Sequence, residues 1–224
     1  MTGQSEMTPA PRTRMSAAKR RQQLVEVGRR IFAEYGYDAA TVEEIASVAG
    51  VSKPVVYEHF GGKEGLYAVV VDREMKTLVD TIASALQSGE AGRPLLARAA
   101  LAVLTYVEEQ PDGFRVMSHD SPHWHGTGRL GSLLADIGDR VEAVLAGGFE
   151  EAGIDPRFAP IYSQMLVGMI AYTGDWWLEH ENALTKEELA AHMTNFAWNG
   201  MKGLEGRPEL RLDSGAPEET ISPS

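Results

Sequence analysis

Three histidines and a carboxylate lie close together in the segment His119-Asp-Ser-Pro-His-Trp-His125. The pair His123 and His125, with His119 four residues before the first of them, has a plausible ligand spacing for zinc or nickel. The alternative, which we prefer, is a His-rich turn that borders a pocket. We therefore assign no metal and no other cofactor to the chain.

The chain lacks groups on which several common enzyme classes depend. It has no cysteine, which excludes disulfides, thiolate metal sites and cysteine nucleophiles. It also has no P-loop, no Gly-x-Ser-x-Gly nucleophile turn and no His-Glu-x-x-His zinc motif. The sequence therefore predicts that the protein is not an enzyme.

Charge is unevenly distributed along the 224 residues, whose formal net charge is −11. Residues 1–66 hold nine Lys or Arg and eight Asp or Glu, whereas residues 67–224 hold 12 and 24. Seven basic residues between positions 12 and 30 face only Glu26; they are Arg12, Arg14, Lys19, Arg20, Arg21, Arg29 and Arg30. A basic end on an acidic body suits a polyanion, although a solvated helix face would look the same.

The elements that position these basic residues are short helices. Apolar residues recur with helical spacing from Leu24 to Tyr35, and Gly36 then ends the helix as a left-handed cap. The run Thr41-Val-Glu-Glu44 is a capping box that starts a second helix. Its expected end is Gly50.

A third helix follows at once. Ser52 is its predicted N-cap, Pro54 lies in its first turn and Phe60 is its end. Two short helices around a glycine turn, after a longer helix, predict a helix-turn-helix domain over residues 16–66. Its expected core is Leu24, Ile31, Phe32, Ile45, Ala46, Val56 and Phe60.

Proline and glycine punctuation predicts further helices after residue 62, over about 63–87, 94–109, 112–118, 128–152, 157–181 and 186–204. The expected fold is all-α, with an N-terminal three-helix helix-turn-helix domain and a larger helical domain over 67–205. Residues 1–15 are expected to form a flexible basic arm, and 206–224 a disordered tail.

Three segments together resemble the DNA-binding signature of the TetR (tetracycline-repressor-like) family of bacterial regulators: Thr41-Val-Glu-Glu-Ile-Ala, Ala49-Gly-Val-Ser-Lys, and Val55-Val-Tyr-Glu-His-Phe-Gly-Gly-Lys-Glu-Gly-Leu66. The resemblance makes Thr41, Ser52, Tyr57, His59 and Lys63 candidate phosphate contacts. It makes Lys53, Pro54 and Val55 candidates for base edges or thymine methyl groups.

Each of these roles has an alternative. Thr41 and Ser52 are helix caps in any case, and Tyr57 could be a packing aromatic with a solvated hydroxyl group. His59 could cap the end of its helix, and Lys53 could find a phosphate instead of a base. The N-terminal arm could enter the minor groove or be merely disordered.

For the rest of the chain the resemblance implies a variable helical domain that binds a small effector and dimerises through its last two long helices. The expected dimer interface is Ile161, Leu166, Gly168, Leu189, Met193, Phe196 and Gly200. Burial within one subunit is the alternative. The expected effector pocket is Tyr106, Phe114, Met117, Trp124, Met165, Met169, Tyr172 and Trp176, all of which could equally be core residues.

The predicted protein is thus a cytoplasmic, ligand-responsive transcriptional regulator, most often a repressor in such a family. It is expected to bind a palindromic operator on double-stranded DNA as a homodimer, and a small, largely apolar effector is expected to release it. A membrane role is not expected, because the longest charge-free stretch, 158–174, falls short of the ~20 apolar residues that a spanning helix needs. The alternative is a helical protein-interaction or small-molecule-binding protein without operator binding.

Overall fold

A computed structural model describes residues 15–118, 129–180, 183–206 and 208. Within these ranges the chain is all-α and no strand occurs. The α-helices are α1 (Ala17–Ala39), α2 (Val42–Val48), α3 (Lys53–Phe60), α4 (Lys63–Leu86), α5 (Arg93–Glu109), α6 (Pro111–Ser118), α7 (Arg129–Ala152), α8 (Ala159–Glu179) and α9 (Lys186–Lys202). A 3-10 turn, Pro156–Phe158, leads into α8.

Helix ends in the first domain follow local chemistry. The Ser16 hydroxyl accepts a hydrogen bond from the Lys19 backbone N–H at 3.3 Å, and the Thr41 hydroxyl accepts one from the Glu44 N–H at 3.1 Å. Gly36, with φ +75°, breaks α1 as predicted, but helical backbone resumes beyond it to Ala39. The helix therefore carries a kink where the sequence predicts an end.

Helices α1 to α3 enclose the predicted core of the first domain. Leu24, Ile45 and Val56 are fully buried, and Ile31, Phe32 and Ala46 are nearly so. Phe60 is only half-buried, because the ring lies at the edge of this core, under the Arg21 guanidinium at 4.5 Å.

Helix α4 joins this domain to the rest of the chain. Its first turns pack on α1, where the fully buried Leu66 lies against Gly28. A Cβ added to Gly28 would be 3.0 Å from Leu66 Cδ2, so the glycine permits this close approach. Helix α6 also packs on α1, and the first domain therefore rests on two helices of the second.

The second domain is a helical body in which α5 packs on α9 and α7 packs on α8. Trp177 of α8 is fully buried, and its indole N–H donates to the Leu184 carbonyl at 2.8 Å. Thr185 and Glu188 form a reciprocal capping box at the start of α9. Among the described residues, no helix has the length and apolar character needed to cross a membrane.

Candidate nucleic-acid interface and ligand cavity

The start of α3 presents its side chains to solvent. Lys53 and Pro54 are exposed, Val55 is half-buried, and Tyr57 is 55% exposed. His59 lies half-buried in the last turn. A short helix that leads with exposed polar and basic side chains has the form of an element that enters the major groove.

Ser52 occupies the N-cap position of α3 in extended backbone, but its hydroxyl makes no capping hydrogen bond. The predicted side-chain cap is therefore wrong. The first turn is closed instead by the backbone, where the Val55 N–H donates to the Ser52 carbonyl at 3.0 Å. The hydroxyl is left exposed at the leading end of the helix, where it could donate a hydrogen bond to a phosphate oxygen.

Lys53 forms an ion pair with Glu43 of α2, and both side chains are more than half exposed. The hydrogen bond from Lys53 is the largest cause of the lowered pKa of the Glu43 carboxyl. DNA that binds Lys53 must therefore compete with a carboxylate on the same surface.

Lys63 has protein partners in place of the predicted phosphate. Its ammonium donates to the backbone carbonyls of Tyr37 at 2.8 Å and Asp38 at 3.2 Å, and lies 4.4 Å from the centre of the Tyr37 ring. These bonds satisfy carbonyl groups at the end of α1. A contact from Lys63 to phosphate stays a prediction, and it would have to be made alongside these bonds or replace them.

Arg21 joins this surface although sequence reasoning assigned it no individual role. Its guanidinium covers the Phe60 ring at the end of α3, and the side chain is exposed. The neighbouring Gln23 amide donates to the Ala49 carbonyl at 3.1 Å, which ties α1 to the turn before α3. The density of basic residues between positions 12 and 30 was the signal that could have placed Arg21 at a phosphate.

A cavity of about 1140 Å³ lies in the second domain. Its wall is mostly apolar and comes from α4, α5, α6, α7, α8 and the end of α9. The lining includes Met75, Leu78, Ile82, Leu95, Ala99, Val103, Ile137, Leu145, Phe149, Val167 and Ile170. Among the described residues, the charged side chains in the wall are Glu90, Glu151, Asp175 and Lys202. Such a volume holds a ligand of drug size or larger.

Three of the predicted pocket residues, Phe114, Met117 and Tyr172, line this cavity. Met165 and Trp176 instead lie on the outer face of α8, where they are 61% and 45% exposed. Half-buried Met169 packs against the core beside the cavity. Trp124 lies outside the described residues, and Tyr106 is buried with its hydroxyl on Glu74. Aromatic and methionine content alone does not tell which face of a helix meets the cavity.

The predicted dimer residues also divide between two faces. Ile161 is 52% and Phe196 is 76% exposed, and Gly200 is exposed as well. Leu189 and Met193 instead face inward at 5% exposure each. Of the α8 residues, Leu166 lines the cavity and Gly168 is half-buried. The outer apolar stripe that results consists of Ile161, Met165, Trp176 and Phe196, together with Tyr172, which is 80% exposed and lies both on this face and at the rim of the cavity.

Two sequence patterns involve residues outside the described ranges. His119, His123 and His125 are among them, and the described residues contain no cluster of three or more potential metal ligands. The expectation that no Gly-x-Gly-x-x-Gly pattern occurs is wrong, because Gly126-Thr-Gly-Arg-Leu-Gly131 has the spacing of a dinucleotide-binding loop. That motif follows a strand, whereas the described element before it is the helix α6, so the pattern does not indicate a dinucleotide site.

The helix-turn-helix surface on a helical body defines a DNA-binding transcriptional regulator, and comparisons with known proteins agree. Residues 24–70 match the family model of the bacterial regulatory proteins of the tetR family. Residues 81–211 match a model described as the tetracyclin repressor-like C-terminal domain. The chain belongs to the TetR family of transcriptional regulators.

Curated relatives include both activators and repressors. The chain is 28% identical over 192 residues to the HTH-type transcriptional activator FasR of Mycolicibacterium smegmatis, covering 84% of this chain and 85% of that protein. It is 36% identical over 62 residues to the HTH-type transcriptional repressor AcnR of Corynebacterium efficiens. That second match covers 28% of this chain and 33% of AcnR.

Solved structures share the fold at low identity. A TetR-like regulator from Rhodococcus sp. RHA1 is 23% identical with a TM-score of 0.69, covering 85% of this chain and 100% of that one. The regulator FadR from Bacillus subtilis, solved in complex with stearoyl-CoA, is 18% identical with a TM-score of 0.66, covering 80% and 98%. These likenesses establish the fold.

Proposed function

We propose that this regulator binds a palindromic operator as a homodimer through its two α3 helices, and that an elongated, largely apolar effector in the cavity releases it. The observation that carries the proposal is the position of α4. Its middle and end line the cavity through Met75, Leu78 and Ile82, while its start holds α1 through Leu66. One helix thus touches both the effector space and the DNA-binding domain.

The dimer is supported by the outer apolar stripe. Large apolar side chains that share a helix face and stay exposed are typical of an interaction surface. Covering this face with the same face of a second copy buries both stripes in a four-helix arrangement. It also gives the protein two recognition helices, which reach half-sites ~34 Å apart on one side of the duplex.

The proposed effector class follows from the wall of the cavity. Most lining side chains are apolar, and the charged ones in the part of the wall that the structure describes are three carboxylates and one lysine. A neutral head group therefore suits the interior better than a polyanionic one. The stearoyl-CoA bound to FadR from Bacillus subtilis supplies a contrasting probe with a long chain and a highly charged head.

Operator binding is tested by selecting bound duplexes from a random DNA pool at several salt concentrations. We expect a palindrome whose binding weakens steeply with salt and is lost in the Lys53→Ala, Tyr57→Ala variant. Lys76→Ala removes the same charge from an exposed position on α4, away from α3, and is the matched control. Enrichment that is unchanged in the double variant would favour the alternative, a binding protein without an operator.

Effector binding is tested with octadecan-1-ol and stearoyl-CoA, added to the complex of the protein with its selected operator. We expect the alcohol to release the operator at lower free concentration than the thioester. Stronger release by stearoyl-CoA would refute the argument from the wall charges.

Repression, rather than activation, is part of this proposal and is tested separately. A promoter reporter with the selected operator should rise when the gene for the protein is deleted. A fall would make the protein an activator, as FasR of Mycolicibacterium smegmatis is described.

A further inference from the structure

A buried charged network joins the DNA-binding domain to the body. Glu74 of α4 is only 2% exposed. Its Oε1 lies 3.6 Å from Nη1 of Arg29 on α1, and its Oε2 accepts a hydrogen bond from the Tyr106 hydroxyl of α5 at 3.1 Å. Arg29 Nη1 also donates to Gln110 Oε1, just beyond α5, at 2.7 Å. Arg29 Nη2 also pairs with Glu26 of its own helix at 3.3 Å, so one guanidinium is shared between the DNA-binding domain and the body.

Each helix of the body that supplies this network also supplies the cavity wall from a neighbouring residue. Glu74 is followed by the lining residue Met75, and Tyr106 lies one turn after the lining residue Val103. On α6, Gly113 precedes the lining residue Phe114. The network and the cavity wall are thus formed by neighbouring residues of the same helices.

Helix α6 approaches the network so closely that only glycine fits. A Cβ on Gly113 would lie 2.1 Å from Glu74 Oε2 and 2.8 Å from the Tyr106 hydroxyl. Burial and the charge of Glu74 raise the pKa of Tyr106 well above its ordinary value, so this hydroxyl keeps its proton and stays a donor at neutral pH. The Glu74 carboxylate is consequently enclosed by α5 and α6.

The contact between Arg29 and Glu74 is looser than the other contacts of the same guanidinium. Its 3.6 Å separation is longer than a hydrogen bond, whereas the bond from Arg29 to Gln110 is short. Arg29 Nε is buried and makes no hydrogen bond to any described residue. Because charge interactions are strong in a low-dielectric interior, a small shift of α4 or α6 changes how firmly Arg29 is held.

We propose that the Arg29–Glu74–Tyr106 network is the element that passes occupancy of the cavity to the DNA-binding domain. The inference rests on the proposed function, since it needs both an operator and a response to the cavity. Glu74 and Tyr106 act as positioning residues, because they touch neither DNA nor the cavity.

The test fills the cavity without a ligand. Ala99→Trp places a large side chain in the space beside Leu95 and Val103 on α5. Operator affinity is measured for the wild type, Ala99→Trp, Glu74→Gln and the double variant. Glu108→Gln breaks an ion pair with Lys186 inside the body and serves as the matched control background.

We expect Ala99→Trp to weaken operator binding by about tenfold, within the usual range for coupled sites, in the wild type and in Glu108→Gln. In the Glu74→Gln background the same substitution should weaken it by less than about twofold, with thermal melting showing a folded protein. If Glu74→Gln does not fold, Tyr106→Phe takes its place in the comparison. This variant keeps the Glu74 carboxylate and removes only the hydroxyl that donates to it.

The outcomes separate the two claims. An equal loss of affinity on filling in the Glu74→Gln and wild-type backgrounds would overturn the network while leaving the regulator in place. No effect of filling in the wild type would overturn the response to the cavity and the network with it. Failure to select any operator would overturn the proposed function itself.

Discussion

The joint between α1 and α4 gives the most quantitative prediction. Leu66 is fully buried, and the space for a methyl group at Gly28 is already taken by Leu66 Cδ2 at 3.0 Å. Leu66→Ala should therefore lower the free energy of unfolding by about 2–5 kcal/mol, because it removes buried methyl groups and leaves a cavity. Gly28→Ala alone should change the free energy of unfolding little. Replacing glycine by alanine within a helix stabilises it by roughly 0.5–1 kcal/mol, and crowding of the new methyl group against Leu66 offsets this gain.

The double variant is the informative one. With Leu66 truncated, the new methyl group at position 28 enters the vacated space, so crowding disappears and about 0.8 kcal/mol of burial is added. The two substitutions should then couple favourably by about 1 kcal/mol or more. We would measure urea-induced unfolding by circular dichroism at one fixed protein concentration, because the stability of a dimer depends on concentration. Additivity within about 0.3–0.5 kcal/mol would refute this account of the joint.

Three further predictions concern the second domain. Ile161→Asp with Phe196→Asp should give a monomer in sedimentation velocity and weaken operator binding by about 100-fold or more, since paired recognition helices are lost. Thr185→Ala should cost about 1 kcal/mol in urea unfolding by removing the cap of α9. The Thr185 N–H lowers the pKa of Glu188, so that carboxylate stabilises the wild type above its ordinary pKa and loses this effect as pH falls through the lowered value. Trp177→Phe should cost roughly 2–4 kcal/mol in the same assay, because the partly buried Leu184 carbonyl loses its donor and a void remains where the fully buried indole was.

Each of these has a result that would contradict it. Tyr35→Asp changes an aromatic side chain of α1 that is 47% exposed and should leave the dimer intact, so dissociation by both changes would point to general destabilisation. A Glu188→Gln variant with an unchanged acid limb of the stability profile would remove the assigned role of Glu188. A Trp177→Phe variant as stable as the wild type would mean that the Leu184 carbonyl finds another donor.

Helix order and bounds could be predicted closely from the sequence because the signals are local. Capping residues, glycines with positive φ and prolines in first turns act within a few residues, and most predicted ends differ from the observed ones by no more than two positions. The exception at Gly36 has the same origin, since glycine permits a kink as readily as an end.

Side-chain placement in the body could not be predicted to the same degree. Periodicity shows that Leu189 and Phe196 belong to one apolar helix, but only packing decides that the first is buried and the second is exposed. Glu74 is the strongest case. A glutamate within a long helix is normally solvated, and nothing near it in the sequence identifies Arg29 or Tyr106 as its partners.

The central claim is that occupancy of the cavity controls operator binding, and one titration tests it directly. The dissociation constant for the selected operator would be measured at one salt concentration with and without saturating octadecan-1-ol, with binding of the alcohol confirmed independently. We predict that the bound alcohol raises this constant at least about fivefold, as expected for coupled sites, and leaves weak binding to a random duplex unchanged. Equal operator affinity in the free and the alcohol-bound protein would contradict the account.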